Sequence, residues 1–455
     1  MTFTPTLTPT LTPTLTIVDA MMGTGKSSWA IEMMNRRHHD YVDAVLDGPT
    51  GLVEAPAPRY IYIAPLLDEA ARIALACPAL SFVEPKAIDG RKLTGLKAAL
   101  RDGRCIASTH VLFQNVDTEA MALIKSRGYT LIVDEELSCV EKFDLTPDDI
   151  ATLFREKLIE VAAVNRRLRW SPAKTYYEGR FSDVKGLCDT GALTMHGDTA
   201  MMWELPLDLL PMFARSYVCT YLFAGSLMSG YLRANGVAHD VKTVKRIDGV
   251  LRLVPLHEGH EAALRTRAKK LLKVEGDTRR NAIGHKTGRR DPLSISWFRE
   301  DRAKYNGAGA DDIQKHARAF FREHAGDRMS YAVMWTAVKE ARAALRGKGF
   351  LKQWTAWNLR GTNAYQEKTV LAYLSNTYPP ALVVSYLEAC GVTIDRDLYA
   401  LSGLVQWIFR SAIRTGKPVS LYVPSERMRR LLLDWLDGKD LLKTAQVEAT
   451  WATAL

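Results

Sequence analysis

Ala20-Met21-Met22-Gly23-Thr24-Gly25-Lys26-Ser27-Ser28 decides the reading of this 455-residue chain. An apolar run, Leu15-Thr16-Ile17-Val18, precedes it, and a helix-forming run, Trp29-Ala30-Ile31-Glu32-Met33-Met34, follows. That is the strand–loop–helix setting of a phosphate-binding loop. Glycines let backbone N–H groups curl toward phosphate oxygens, and the helix N-terminus adds the positive end of its dipole. In this reading Gly23, Thr24, Gly25, Lys26, Ser27 and Ser28 cradle ATP. Lys26 meets the β- and γ-phosphates and the Ser27 hydroxyl ligates Mg²⁺. Ala20 stands where the usual pattern has its first glycine.

Two further stretches fit the same chemistry. Thr130-Leu131-Ile132-Val133 is an apolar run that ends at Asp134-Glu135-Glu136. Hydrolysis of a phosphoanhydride needs one carboxylate to hold the metal and another to orient or deprotonate water. Adjacent side chains at a strand end diverge toward those tasks, with Asp134 as metal carboxylate and Glu135 as base. Farther on, Gln406-Trp407-Ile408-Phe409-Arg410-Ser411-Ala412-Ile413-Arg414 is expected to be helical. Gln406, Arg410 and Arg414 then share one face, which can present a guanidinium to the γ-phosphate in the transition state.

The remaining composition is that of a globular α/β protein. Short β-branched runs alternate with helical runs, which implies βαβ units and parallel sheets. Strands are expected at 59–65, 105–108, 130–133, 217–223, 293–298, 331–335 and 420–423, and residues 141–215 read as mainly helical. The expected organisation is a Thr/Pro-rich extended tail (1–14), a first α/β domain (15–235) and a second (236–455). Proline at the density of the tail resists both helix and central strand. Six cysteines show no C-x-x-C pair and no zinc-ligand spacing, as expected of reduced thiols in a cytoplasmic protein, here that of a bacterial host cell. No apolar run approaches the roughly 20 residues that span a bilayer, so no membrane partner is expected. His38-His39 has no convincing metal partners and reads as surface. The net charge of +10 suits a polyanionic partner. Thirteen Lys or Arg against five Asp or Glu crowd residues 265–304, where Arg279-Arg280 and Arg289-Arg290 read as an exposed basic loop. Ser108-Thr109-His110 and Arg360-Gly361-Thr362-Asn363 are polar turns of the kind that meet nucleic-acid phosphates. Trp354, Trp357 and Tyr365 beside the second turn read as core aromatics, or as platforms for bases.

In order and spacing these stretches resemble the motifs of superfamily 2 (DEAD/DEAH-like) helicases of phage and prophage DNA replication modules. Asp19 to Ser27 resembles motif I, Ile63-Ala64-Pro65-Leu66-Leu67-Asp68-Glu69 motif Ia, and Ser108-Thr109-His110 motif Ib. Val133-Asp134-Glu135-Glu136 resembles motif II and Ala224-Gly225-Ser226 motif III. Arg360 to Asn363 resembles motif V and Gln406 to Arg414 motif VI. Two departures stand out. The second arginine of motif VI comes one residue late, and Ala-Gly-Ser replaces the usual Ser-Ala-Thr. The resemblance implies two tandem RecA-like P-loop NTPase domains, ATP and Mg²⁺ between them, and a DNA strand across both. Pro65, Thr109, His110, Thr362 and Asn363 would contact the strand, with replication proteins as further partners. The expected activity is that of an ATP-dependent DNA helicase or translocase. The alternatives are an ATP-switched origin-binding or loader protein, and a packaging terminase-type motor. The scatter of acidic residues after 380 speaks against a terminase nuclease.

Overall fold

The computed structural model describes residues 14–47 and 56–439, apart from 89, 115, 164, 199, 258 and 359–363. The expected tail up to residue 13, and the turn holding Thr362 and Asn363, lie outside the described residues.

The strands expected around the phosphate loop form one sheet. β1 (Leu15–Asp19), β2 (Tyr60–Ala64), β3 (Ile106–Thr109), β4 (Thr130–Asp134) and β10 (Arg215–Thr220) are joined by β11 (Asp240–Ile247) and β12 (Val250–Pro255). The order is β12-β11-β1-β10-β4-β2-β3. All neighbours run parallel except β11 and β12. Its central strands are continuous apolar runs because both faces are covered. Ile17, Leu131 and Val133 enter one core, while Val18, Ile132 and Cys219 enter the opposite one with Trp29 and Met33 of α1 (Lys26–Asp47). A parallel sheet aligns the carboxyl ends of its strands, so Asp19, Asp134 and Thr220 end up side by side.

The module between β4 and β10 is not mainly helical. It holds β5 (Val140–Lys142), β6 (Ile159–Val161), β7 (Leu168–Trp170), β8 (Leu193–His196) and β9 (Ala200–Glu204) beside the helices Pro147–Arg155 and Ser182–Asp189. Strands of three to five residues are too short to impose a visible period on the sequence. β5, β9 and β8 form one antiparallel sheet and β6–β7 a hairpin.

The domain boundary also falls later than residue 235. β11 pairs with β1, so the first sheet claims the chain as far as Pro255. The second sheet is β13 (Leu272–Val274), β14 (Val333–Ala337), β15 (Val370–Leu374) and β16 (Val419–Tyr422), all parallel in the order β13-β16-β15-β14. The strand expected at 293–298 is instead the start of a helix, Ile295–Lys304, because the Ser294 hydroxyl accepts from the Trp297 N–H and caps it.

The two sheets are docked closely. A Cβ added at Gly225 would lie 2.7 Å from the backbone of Leu398, so only glycine fits there. Gly225→Ala should cost about 1–3 kcal/mol of stability by overpacking. It should also loosen the contact between the two units, readable as a lower thermal midpoint together with faster proteolysis. No described helix is long and apolar enough to cross a membrane.

Candidate nucleotide site between the two sheets

The loop 20–25 hangs between β1 and α1. Gly23 and Gly25 have φ of +83° and +99°, values that β-carbon sterics discourage in other residues. The Trp29 N–H donates to the Gly25 carbonyl at 2.7 Å and the Thr24 hydroxyl to the Met21 carbonyl at 2.8 Å, which fixes the curl. The Lys26 ammonium folds back into its own loop, donating to the carbonyls of Ala20 and, at 3.3 Å, Met21. Burial pushes its pKa down, against the pull of Cys219, Asp19, Asp134 and Glu135.

Asp19 ends β1 and accepts the N–H groups of Leu222 and Phe223, each at 2.9 Å. This ties the loop to the turn that leads toward Gly225. Asp134 Oδ2 accepts from the Ser27 hydroxyl at 3.0 Å and from the Tyr62 hydroxyl at 2.9 Å. Burial, then the neighbouring Glu135, raises the Asp134 pKa. A hydroxyl and a carboxylate in direct contact are the donor pair that Mg²⁺ takes alongside phosphate oxygens. No cluster of three or more His, Cys, Asp or Glu that could hold a metal by itself occurs among the described residues. The donor set therefore fits a cation that arrives with a phosphate.

Glu135 adopts φ +74°, in the left-handed region, which turns its side chain away from the strand axis. Its carboxylate forms an ion pair with the Arg410 guanidinium, and both side chains are largely buried. Glu136 points elsewhere and accepts the Met228 N–H at 2.8 Å, capping the helix Leu227–Ala234.

The stretch 406–414 is not one helix. The helix Arg396–Ile408 stops, and a 3-10 turn, Ala412–Thr415, follows. The Ser411 hydroxyl donates to the Ile408 carbonyl at 2.6 Å and caps the turn, so the helix does not continue. Gln406, Arg410 and Arg414 nevertheless meet on one cavity wall. Burial, followed by the nearby Arg410 charge, lowers the Arg414 pKa. The facing wall is Gly23, Gly25, Lys26, Ser27, Ser28, Asp134 and Glu135, around a cavity of about 250 Å³. Every residue expected to meet nucleotide lines it except Thr24, whose hydroxyl is spent on the loop. Glu69 and Arg72 of α2 (Leu67–Ala76) also line it. Neither had been expected there, although their spacing of three residues on a helix puts them on one face.

Pro65 and the pair Thr109-His110 lie at the carboxyl ends of neighbouring strands, where Ala64 pairs with Thr109. Leu66, Leu67 and Val111 are exposed beside them. In the basic stretch Arg279, Arg289 and Arg290 are exposed as expected, and Arg280 is half-buried. Arg280 is held by Glu275 at 2.5 Å and by Glu323, and Arg290 lies 3.6 Å from Glu300. The aromatics near 360 are packed. Arg342 covers the Trp354 ring at 4.3 Å, and Trp357 meets Tyr399 edge-on.

Comparison with known proteins agrees with this division of the chain. The model of the YonV C-terminal Rossmann-like domain matches residues 266–436, and that of the YonV middle domain matches 140–203. The SPbeta prophage-derived uncharacterized protein YonV of Bacillus subtilis (strain 168) is 31% identical over 435 residues, covering 93% of this chain and 98% of that protein. This chain belongs to the YonV family. The YonV middle domain is the module inserted between β4 and β10. The YonV C-terminal match begins within the helix Ala262–Leu271, past the end of the first sheet.

Proposed function

We propose that this member of the YonV family is an ATP- and Mg²⁺-dependent DNA helicase or translocase of phage or prophage DNA replication, built on two tandem RecA-like domains. One observation carries the reading. Lys26, Ser27, Asp134 and Glu135 from the first sheet and Gln406, Arg410 and Arg414 from the second line a single cavity.

Mg·ATP would supply a phosphoanhydride bond whose hydrolysis is strongly favourable. Lys26 would leave the carbonyls of its loop for the phosphates. Ser27 and Asp134 would hold the cation. Glu135 would orient and deprotonate water, and Arg410 would offset charge that develops on the γ-phosphate. Arg410 reaches the cavity only from the second unit, so closure of the two units and completion of the site are one event. DNA is the polyanion that the +10 chain would track, along the edge holding Pro65, Thr109 and His110.

The test is ATP hydrolysis by the purified chain with and without single-stranded DNA. Stimulation by DNA, with displacement of a paired strand, supports a helicase. Binding of ATP without turnover would turn the reading into an ATP-switched loader. Failure to bind ATP at all would end it. In the same assay Glu135→Gln should keep Mg·ATP affinity and lower the rate by about 10²–10⁴-fold, the usual scale for loss of a general base. Loss of binding instead would make Glu135 a structural partner of Arg410.

A further inference from the structure

We propose that Arg72 contacts the γ-phosphate, exchanging its bond with Glu69 for one to phosphate, and that it links nucleotide occupancy to the DNA-facing start of α2. This rests on the nucleotide reading above and adds to it a residue and a route.

Arg72 lines the cavity from the same unit as Lys26, opposite Gln406, Arg410 and Arg414. Its Nε donates to Glu69 Oε2 at 2.8 Å, with the Arg72 side chain 44% exposed and that of Glu69 15%. The Arg72 end of this i,i+3 pair is open to water, and a phosphate oxyanion is a charge-assisted acceptor that can take the carboxylate's place. Four cations, Lys26, Arg72, Arg410 and Arg414, face three carboxylates, Glu69, Asp134 and Glu135, around the cavity. Glu135 is engaged with Arg410, and Asp134 accepts from two hydroxyls. The excess of positive charge is matched by a polyanion, and Arg72 is held there by one hydrogen-bonded carboxylate at a partly exposed place.

The route follows from the helix. Leu67 is the first residue of α2, and Pro65-Leu66 leads into it from β2. Leu66 and Leu67 are exposed beside Thr109 and His110, one and a half turns from Arg72. Ala70 and Ile73 bury the adjoining face of α2. A ten-residue helix moves as one body, so a pull on Arg72 shifts the edge that would touch DNA.

The experiment measures affinity for ADP and for a non-hydrolysable ATP analogue, then affinity for single-stranded DNA in each state. Arg72→Ala should weaken the analogue by about tenfold or more, the effect of one charge-assisted hydrogen bond, and leave ADP unchanged. DNA affinity should differ between the two nucleotide states in the wild type and become the same in both in Arg72→Ala. Arg72→Lys should recover part of the loss, and Glu69→Gln should tighten the analogue by freeing Arg72. A wild-type ratio of analogue to ADP affinity in Arg72→Ala overturns the contact. Wild-type DNA affinity that is equal in both states overturns the link. If Lys26→Ala loses both nucleotides while Arg72→Ala keeps the ratio, the nucleotide site stands and only this inference fails. A wild-type chain that binds neither nucleotide ends both.

Discussion

Lys26→Ala should lower ATP turnover by at least about 10³-fold, to the limit of detection, while the protein melts as a folded chain. The scale is that of removing a preorganised donor aimed at developing charge. The fold should survive because Lys26 holds nothing together. Its ammonium bonds to carbonyls of its own loop, and the loop keeps the Trp29–Gly25 and Thr24–Met21 bonds without it. Burial already disfavours its charge, so replacing it by a neutral side chain relieves a desolvation cost. Nucleotide affinity by calorimetry and an unfolding curve by circular dichroism separate the two effects. A variant that hydrolyses ATP at the wild-type rate would remove the phosphate-loop assignment.

Arg410→Ala should lower turnover by on the order of 10³-fold with nucleotide binding largely kept, as for an arginine that acts on the transition state. Here stability and catalysis are entangled. Glu135 loses its ion-pair partner in a largely buried place, and removing one member of such a pair costs about 3–5 kcal/mol. The double variant Arg410→Ala, Glu135→Gln disentangles them. It should regain most of the stability, while its turnover falls well below that of Glu135→Gln alone. Equal turnover in the double variant and in Glu135→Gln would give Arg410 a purely structural role.

The first sheet was largely legible, and for a physical reason. Both its faces are buried, so β1, β2, β4 and β10 appear as mostly apolar runs, and the ends of β1 and β4 lead directly into the loop before Lys26 and into Asp134-Glu135. β11 and β12 were hidden because this hairpin closes one side of the sheet with β12 at its edge, and polar residues such as Lys245 and Arg252 interrupt the apolar ones. Gln406, Arg410 and Arg414 were placed on one wall for the wrong local reason. A helix face was expected, and a capped break delivers the same convergence. Glu69 and Arg72 were missed because nothing local tells which side of α2 faces a cavity that the second sheet completes. The exposed basic loop was legible at Arg279, Arg289 and Arg290 but not at Arg280, whose acidic partners lie 5 and 43 residues away in sequence.

The inserted module has one root in the candidate site. It leaves the first sheet just after Glu135 and Glu136 and rejoins at Arg215, at the opposite end of the sheet, where β10 begins beside Thr130. Its far side is fastened to the second unit, where His196 lies 3.1 Å from Ser385 and Tyr386 joins the core of the first. Mechanically it is a strain gauge clamped at one end to the carboxylates and at the other to the opposing half. A shift of the second unit against the first therefore reaches the backbone at Glu135 by two routes, through this module and through the Arg410 ion pair. Substitutions inside the module would change the stiffness of the first route without touching a residue that lines the cavity.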